Sequence, residues 1–452
     1  MKKPRSRKKI IISVLCVLLA LAVLTPCAIN AAVMISASKY IISADEAAGR
    51  ETDCVLVLGA RVNSNGTLSH MLEDRMSTGV DLYQAGAGKK ILASGDHGRD
   101  SYDEVNHMKQ YAAHLRSLIC KGIGADEADK PLAGMSIMVD AGNGAGGFYA
   151  SEVLAPLGAD VSPSMNLEPD GNFPVYVPNP ESSVMIDSAA ERVKSTHADF
   201  GIVFDTDVDR AGCILSDGRE LNRNRLVAMI SAVILENEPG AVIVTDSVTS
   251  AGLTKFIEAH GGEHIRFKRG YKNVINKQIE LNRAGVDCPL AIETSGHAAF
   301  RENYYLDDGA YLVTKLIIKA ALLKKSGGSL ESFISDLEEP AEELERRFKI
   351  DLEDFKPYGD KVIADLKALA EKRDGWQAEK INYEGIRINT DKSNGDGWFL
   401  LRMSVHDPIL PLNIESNSVG GVRVLAEKLL KFFDEVKPEN VDYAALKGFL
   451  EK

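Results

Sequence analysis

From Ile10 to Ile35 the only polar residues are Ser13, Thr25 and Asn30, an apolar run long enough to span ~30 Å of hydrocarbon as a helix. The pattern predicts a single membrane helix within residues 1–36. Lys2, Lys3, Arg5, Arg7, Lys8 and Lys9 precede it, so the start is expected in the cytoplasm and everything after residue 36 outside. A cleaved signal peptide is the rival reading. The run is long for one, and the only small-x-small step after it is Ser36-Ala37-Ser38, which favours an uncleaved anchor.

Next, "CVLVLGARV" reads as a buried strand entering a turn. A helical pattern from Met71 to Ala85 follows, then "KKILASGDHG", a second strand closing on glycine. Together they predict one βαβ unit within residues 50–108. Further on, "LAGMSIMVDAGNGAGGFYASEVLAPLGADV" reads as strand, glycine-rich turn, helix and strand. The alternation continues to about residue 350, which predicts α/β domains over 109–236 and 237–350 with mainly parallel sheets. The stretch "EEPAEELERRFK" reads as a solvated helix face separating a final α+β domain, 351–452.

The chain is 45% hydrophobic and 26% charged, which fits packed domains rather than disorder. Its net charge of −12 argues against a nucleic-acid surface, which needs a basic stripe. The six cysteines are scattered, with no C-x-x-C pair, so neither a disulfide framework nor a zinc site is expected.

Candidate chemistry lies in four stretches. In "GIVFDTDVDR", Asp205, Asp207 and Asp209 recur with period two, so an extended chain would point all three to one side. A polar turn accounts for one such aspartate but not three. Three close carboxylates repel unless a cation joins them, and hard oxygen ligands suit Mg²⁺. In "AIETSGHAAF", Glu293, Ser295 and His297 form a short polar turn able to face vicinal sugar hydroxyls, although His297 alone reads equally as a structural histidine. In "FLLRMSVHDPILPLNIES", Arg402 offers a planar fork for a phosphate, with Ser404 and backbone N–H groups beside it, although by itself it reads as a surface arginine in a turn. In "FKRGYKNV", Lys268, Arg269 and Lys272 surround Gly270, a local cation cluster in an acidic chain that as a bare charge run reads as solvated surface.

Taken in order, these stretches resemble the α-D-phosphohexomutase family, the phosphomannomutases and phosphoglucomutases. "DTDVDR" matches its magnesium loop, "ETSGH" its sugar-selecting loop and "RMSVHDP" its C-terminal phosphate loop; "VDAGNGAGG" and "PDGNFPVYVPNP" match its second domain. The resemblance runs from about residue 109 to the end and implies that family's second, third and fourth domains. It also implies Mg²⁺ on Asp205, Asp207 and Asp209, with Arg210 and Lys268 catalytic. Glu293, Ser295, His297, Arg402 and Ser404 would then bind a hexose phosphate, with a hexose bisphosphate as activator. Thr206 and His406 depart from the pattern, where glycine and threonine are usual.

The family's phosphoserine motif, T-A-S-H-N-P, is not found; Ser69-His70 in "TLSHMLEDR" is a superficial match without the Asn-Pro. That region instead resembles the vancomycin high-temperature exclusion family. "VLVLGARVNSNGTLSHMLEDR", "KKILASGDHGRDSYDEVNHM" and the anchor carry this likeness over residues 1–108, as a truncated Rossmann-like segment.

The expected fold class is therefore α/β: a membrane helix, a partial βαβ segment, two phosphohexomutase-type domains and a C-terminal α+β domain. The resemblance implies a hexose-phosphate mutase whose turnover is impaired without the donor serine. The alternative is a membrane-tethered envelope protein that binds sugar phosphates without turning them over. A third reading is a gene fusion with no selected function. The charge rule places the domains outside the membrane, whereas the chemistry implies the cytoplasm.

Overall fold

The computed structural model describes residues 104–451, apart from 405 and 406, together with 47, 55–58, 78, 79, 82, 87 and 91–94. The expected anchor, Ser69, His70 and His406 lie outside the described residues. Among the described residues no helix is long and apolar enough to cross a membrane. The chain divides into a unit ending at Glu104 and a second from Val105.

In the first unit, β1 (Val55–Leu58) pairs in parallel with β2 (Ile91–Ser94), Val55 opposite Ile91 and Leu58 opposite Ser94. Thr78, Gly79 and Leu82 between them are helical, which follows the βαβ reading.

The second unit holds three sheets. In the first, β3 (Ile137–Asp140), β4 (Phe200–Phe204), β5 (Ala211–Leu215) and β6 (Glu220–Leu221) lie side by side in that order. The second has the order β10-β9-β7-β8, built from β7 (Val242–Thr245), β8 (Glu263–Arg266), β9 (Leu290–Ile292) and β10 (Ala298–Phe300). Both are mixed: the second is mainly parallel as expected, with two parallel pairings of three, whereas the first has only one. β3 and β4 are parallel, as are β7 and its neighbours, but β4–β5 and β9–β10 are antiparallel. The cause is loop length. Residues 205–210 and 293–297 are too short for a crossover and can only join antiparallel neighbours. These two hairpin tips are the aspartate-rich and Glu-Ser-His stretches.

The third sheet is wholly antiparallel, in the order β12-β13-β14-β15-β11-β16. Its strands are β11 (Glu342–Ile350), β12 (Trp376–Ala378), β13 (Ile386–Thr390), β14 (Gly397–Leu401), β15 (Ile409–Ser416) and β16 (Val441–Asp442). The Glu-rich run read as a helix face is therefore strand β11. Leu344, Phe348 and Ile350 turn inward at even spacing, while Glu343, Glu345, Arg347 and Lys349 are exposed; period two outweighs the helix propensity of Glu, Lys and Arg. The expected boundary at 350 cuts through this sheet, whose first strand begins at 342.

The helix Asn224–Leu235, "NRLVAMISAVIL", is apolar around most of its circumference and buried at nine positions. It packs against the helices Ala251–Ala259 and Gly309–Lys325, so it joins the second sheet's domain, not 109–236 as expected. One continuous apolar cluster runs from Ala112 to Ile334 and serves both mixed sheets. The C-terminal sheet has its own cluster, closed by the helices Phe355–Ala370 and Gly421–Val436.

Candidate active site

Strand β4 is fully buried, and its apolar run ends on the buried Asp205. Arg210 folds back onto that carboxylate, donating from its backbone N (3.1 Å) and its Nε (2.9 Å). Val208, between them, is held at φ +71°, a costly conformation for a β-branched residue. It is pinned by Gly309, whose N donates to the Val208 carbonyl at 2.9 Å, and a Cβ on Gly309 would lie 2.6 Å from the Arg210 carbonyl carbon. The loop is thus curled, and the expected strand-like alternation of the aspartates is not what gathers them. The turn does so: one oxygen each of Asp205, Asp207 and Asp209 lies within 4.8 Å of the others.

This crowding has an electrostatic signature. Burial, then the adjacent Asp205, pushes the Asp209 carboxyl up to about 8. Partial burial and Asp205 also raise Asp207. Carboxylates that resist ionising together in the absence of a cation fit an all-oxygen site for a hard divalent ion. A cavity of about 310 Å³ beside Asp207, Asp209 and Asp307, walled by Tyr111, Phe148 and Val208, gives access to it.

The second hairpin tip docks on the first. Glu293 N donates to His297 O (2.9 Å) and Gly296 N to Glu293 O (3.1 Å), with Gly296 at φ +97°. Arg210 and His297 form an antiparallel bridge. A Cβ on Gly296 would stand 2.5 Å from the Ala211 carbonyl oxygen, so glycine permits this approach. His297 Nδ1 lies 2.7 Å from Asp307 Oδ2 and 3.8 Å from Asp209 Oδ2, and its ring stacks on Tyr271 at 5.1 Å. Burial lowers the His297 pKa, but Asp307 and then Asp209 outweigh it and leave it raised. Glu293 accepts the Gly270 N–H at 2.5 Å; burial and then Asp246 push its carboxyl up to about 7. The Ser295 hydroxyl oxygen is buried without a hydrogen-bond partner.

Lys268 is exposed, whereas the next residue, Arg269, is half-buried. Arg269 lies 3.6 Å from Glu181 and 4.0 Å from Asp246. Arg210 also reaches Asn179 (3.4 Å) and Glu181 (4.0 Å). Sequence reasoning passed over Asp246, Glu181, Asp307 and Glu384. Asp246 had a readable signal, since "AVIVTD" ends a buried strand on a carboxylate as "GIVFD" does. Glu181 sits in an irregular loop whose role is visible only in space.

Arg402, at the end of β14, is buried. Its Nη1 donates weakly to Met403 O at 3.4 Å, while its Nε has no hydrogen-bond partner and faces Glu384 Oε1 at 3.9 Å. Ser404 donates its N to Ile409 O (3.1 Å) and accepts from Asp407 N (3.3 Å) through its hydroxyl oxygen, closing a tight loop. Glu384 accepts the Arg269 N–H at 3.0 Å and the Ser247 hydroxyl. Arg402 is thereby linked to the other stretches through Glu384 and Arg269, which in turn faces Glu181 beside Arg210.

Residues 109–218 match the family model "Phosphoglucomutase/phosphomannomutase, alpha/beta/alpha domain II", and 222–340 match domain III. A phosphomannomutase/phosphoglucomutase of Pseudomonas putida is 30% identical over 307 residues, covering 68% of this chain and 62% of that protein. One of Pseudomonas aeruginosa is 29% identical over 355 residues, 77% of this chain and 69% of the relative. The chain thus spans about three fifths of the length of the first of these relatives. A solved phosphoglucomutase/phosphomannomutase family protein of Burkholderia thailandensis shares the fold with a TM-score of 0.61 and 24% identity, covering 82% of this chain and 71% of that one. Two successive mixed α/β domains whose hairpin tips meet at 205–210 and 293–297, matched by both models, carry the conclusion that this chain contains domains II and III of the phosphoglucomutase/phosphomannomutase family.

Proposed function

We propose that the cleft binds a hexose phosphate and is built for intramolecular phosphoryl transfer between its hydroxyls, as in phosphomannomutases and phosphoglucomutases. The observation that carries the reading is the docking of the aspartate loop on the Glu-Ser-His loop, through the Arg210–His297 bridge. Asp205, Asp207 and Asp209 would hold Mg²⁺, which when bound neutralises charge developing on a transferring phosphoryl group.

The chain's own residues do the rest. Arg210 is fixed by Asp205 and so points a rigid cation along the cleft. Glu293, with its carboxyl near 7, can take a proton from a sugar hydroxyl or return it at neutral pH. Ser295 offers an unpaired hydroxyl to the sugar, and His297, oriented by Asp307 and Tyr271, closes the same side. Arg402 and Ser404 would take the distal phosphate. Arg269, not Lys268, supplies the second central cation.

Transfer also needs a phosphoryl donor, and no T-A-S-H-N-P segment occurs in these 452 residues. Turnover by this chain alone is therefore proposed to be very low, with phosphosugar binding retained. A membrane-tethered binder is the second reading, motivated by that missing donor and the apolar opening. The test is a coupled mutase assay on the full chain with Mg²⁺, glucose 1-phosphate or mannose 1-phosphate, and the matching 1,6-bisphosphate, alongside calorimetry of phosphosugar binding. Binding without turnover is the expected result. Robust turnover unchanged by Asp207→Asn would defeat both the metal assignment and the missing-donor argument, and absence of binding would defeat the site itself.

A further inference from the structure

We propose that Glu384 is an internal anion that takes the phosphate-facing side of Arg402 when the cleft is empty, so that a phosphate group binds there by displacing it. This rests on the phosphate-binding role proposed above for Arg402.

The Arg402 guanidinium is buried, yet its Nε donates to nothing and its Nη1 makes one long bond to its neighbour's carbonyl. A buried cation so poorly satisfied is costly unless an anion completes it. Glu384 is the carboxylate that faces it, and at 3.9 Å it supplies attraction without a hydrogen bond. It comes no closer because its Oε1 is already engaged by the Arg269 N–H and the Ser247 hydroxyl. Those donors belong to the β7–β10 domain, whereas Glu384 and Arg402 flank strands of the C-terminal sheet. Glu384 thus ties together two separately cored domains through the place a ligand phosphate would need. The turn is laid directly on Arg402: Gly385 sits at φ +57°, and a Cβ there would lie 2.7 Å from Arg402 Cα.

A phosphate dianion engaging Arg402 would bring its charge close to the Glu384 carboxylate, and like charges at that range repel. Phosphate affinity at this end is therefore set by competition with the chain's own carboxylate. The competition also couples ligand entry to release of the C-terminal domain from Ser247 and Arg269.

The experiment is calorimetric titration of inorganic phosphate into the full 452-residue chain and its variants. Glu384→Gln keeps an oxygen for Arg269 N and Ser247 but removes the charge. It is expected to tighten phosphate binding at least about fivefold. Glu384→Ala should tighten it as well, so the inference does not depend on one substitution folding. In the double variant E384Q/R402A the gain should vanish. Affinities of E384Q and E384A equal to or weaker than the parent, or a gain that survives loss of Arg402, would overturn the inference. Glucose 1-phosphate binding by the parent chain is read separately. If it is absent while E384Q still gains phosphate affinity, the sugar-phosphate reading falls and the displaced-anion mechanism stands.

Discussion

Residues 205–210 and 293–297 are the tips of hairpins whose sheets share one apolar core, whereas Arg402 and Ser404 stand on a sheet with a core of its own. The first two loops touch through backbone and are locked by Gly296 and Gly309. The C-terminal sheet meets the β7–β10 domain mainly through side chains of residues 379–387. Arg266 meets Glu379 at 2.7 Å, Arg387 donates to Ser247 O at 3.0 Å, Phe267 packs on Tyr383, and Glu384 bridges Arg269 and Ser247.

That seam carries buried charges that are incompletely satisfied. Arg387 lies 2.9 Å from Glu379 as an ion pair but without hydrogen-bond alignment, and its guanidinium stacks 3.5 Å from Trp398. Burial, and then Arg266, pulls its pKa down to about 9, while burial pushes Glu415 up to about 7. A fused apolar core joins one half of the site, whereas a polar seam joins the other.

The largest effect should come from breaking the rigid half. Gly296→Ala forces a Cβ against the Ala211 carbonyl at a left-handed φ, so urea melts should show a loss of about 2–4 kcal/mol. Gly327→Ala, also at positive φ but with no atom within 4 Å of a Cβ, should lose no more than about 1 kcal/mol, which isolates the contact from the backbone strain.

Next in size, Arg402→Ala should weaken glucose 1-phosphate binding roughly thirtyfold, equivalent to about 2 kcal/mol, with little change in Mg²⁺ affinity by calorimetry. Asp207→Asn should do the reverse, lowering Mg²⁺ affinity roughly tenfold while the melting temperature without metal holds or rises. Parallel losses of both ligands in both variants would mean that the two halves are not separable.

A smaller effect concerns pH. The folded state holds the Asp209 and Glu293 carboxyls at about 8 and about 7, above their ordinary values of 3.8 and 4.5. Between those limits the native state binds more protons than the unfolded chain, so metal-free stability falls as pH rises from about 4 to 8. Thermal melts should show Mg²⁺ raising the midpoint by ~1–3 °C more at pH 8 than at pH 5. An Mg²⁺ increment independent of pH would remove Asp209 from the ligand set. The smallest expected change is Lys268→Ala, within about 0.5 kcal/mol for phosphosugar binding, because that side chain faces solvent.

Two loops of the candidate site were legible as text because they follow buried strands. Apolar runs ending on Asp205 and Glu293 mark where a chain leaves the sheet, and three alternate aspartates with Arg210 have few uses besides binding a cation. The roles of Lys268 and Arg269 were not separable, since adjacent residues differ only in the direction imposed by β8 and the turn at Gly270. Strand β11 was misread because its charges dominate composition, while its inward face is marked only by Leu344, Phe348 and Ile350 and its ladder with β15 is made by backbone.

The sequence by itself determined the α/β alternation, the carboxylate and guanidinium content of the cleft and the family likeness, because local periodicity and short motifs specify strands, turns and ligand types without reference to distant residues. Only the tertiary structure decided that the aspartates converge through a strained turn at Val208, that Gly296 and Gly309 lock the two tips together, and that Glu384 stands before Arg402. Each of those depends on chain segments from five to more than a hundred residues apart meeting within a few ångströms, and such meetings are set by packing rather than by local preference.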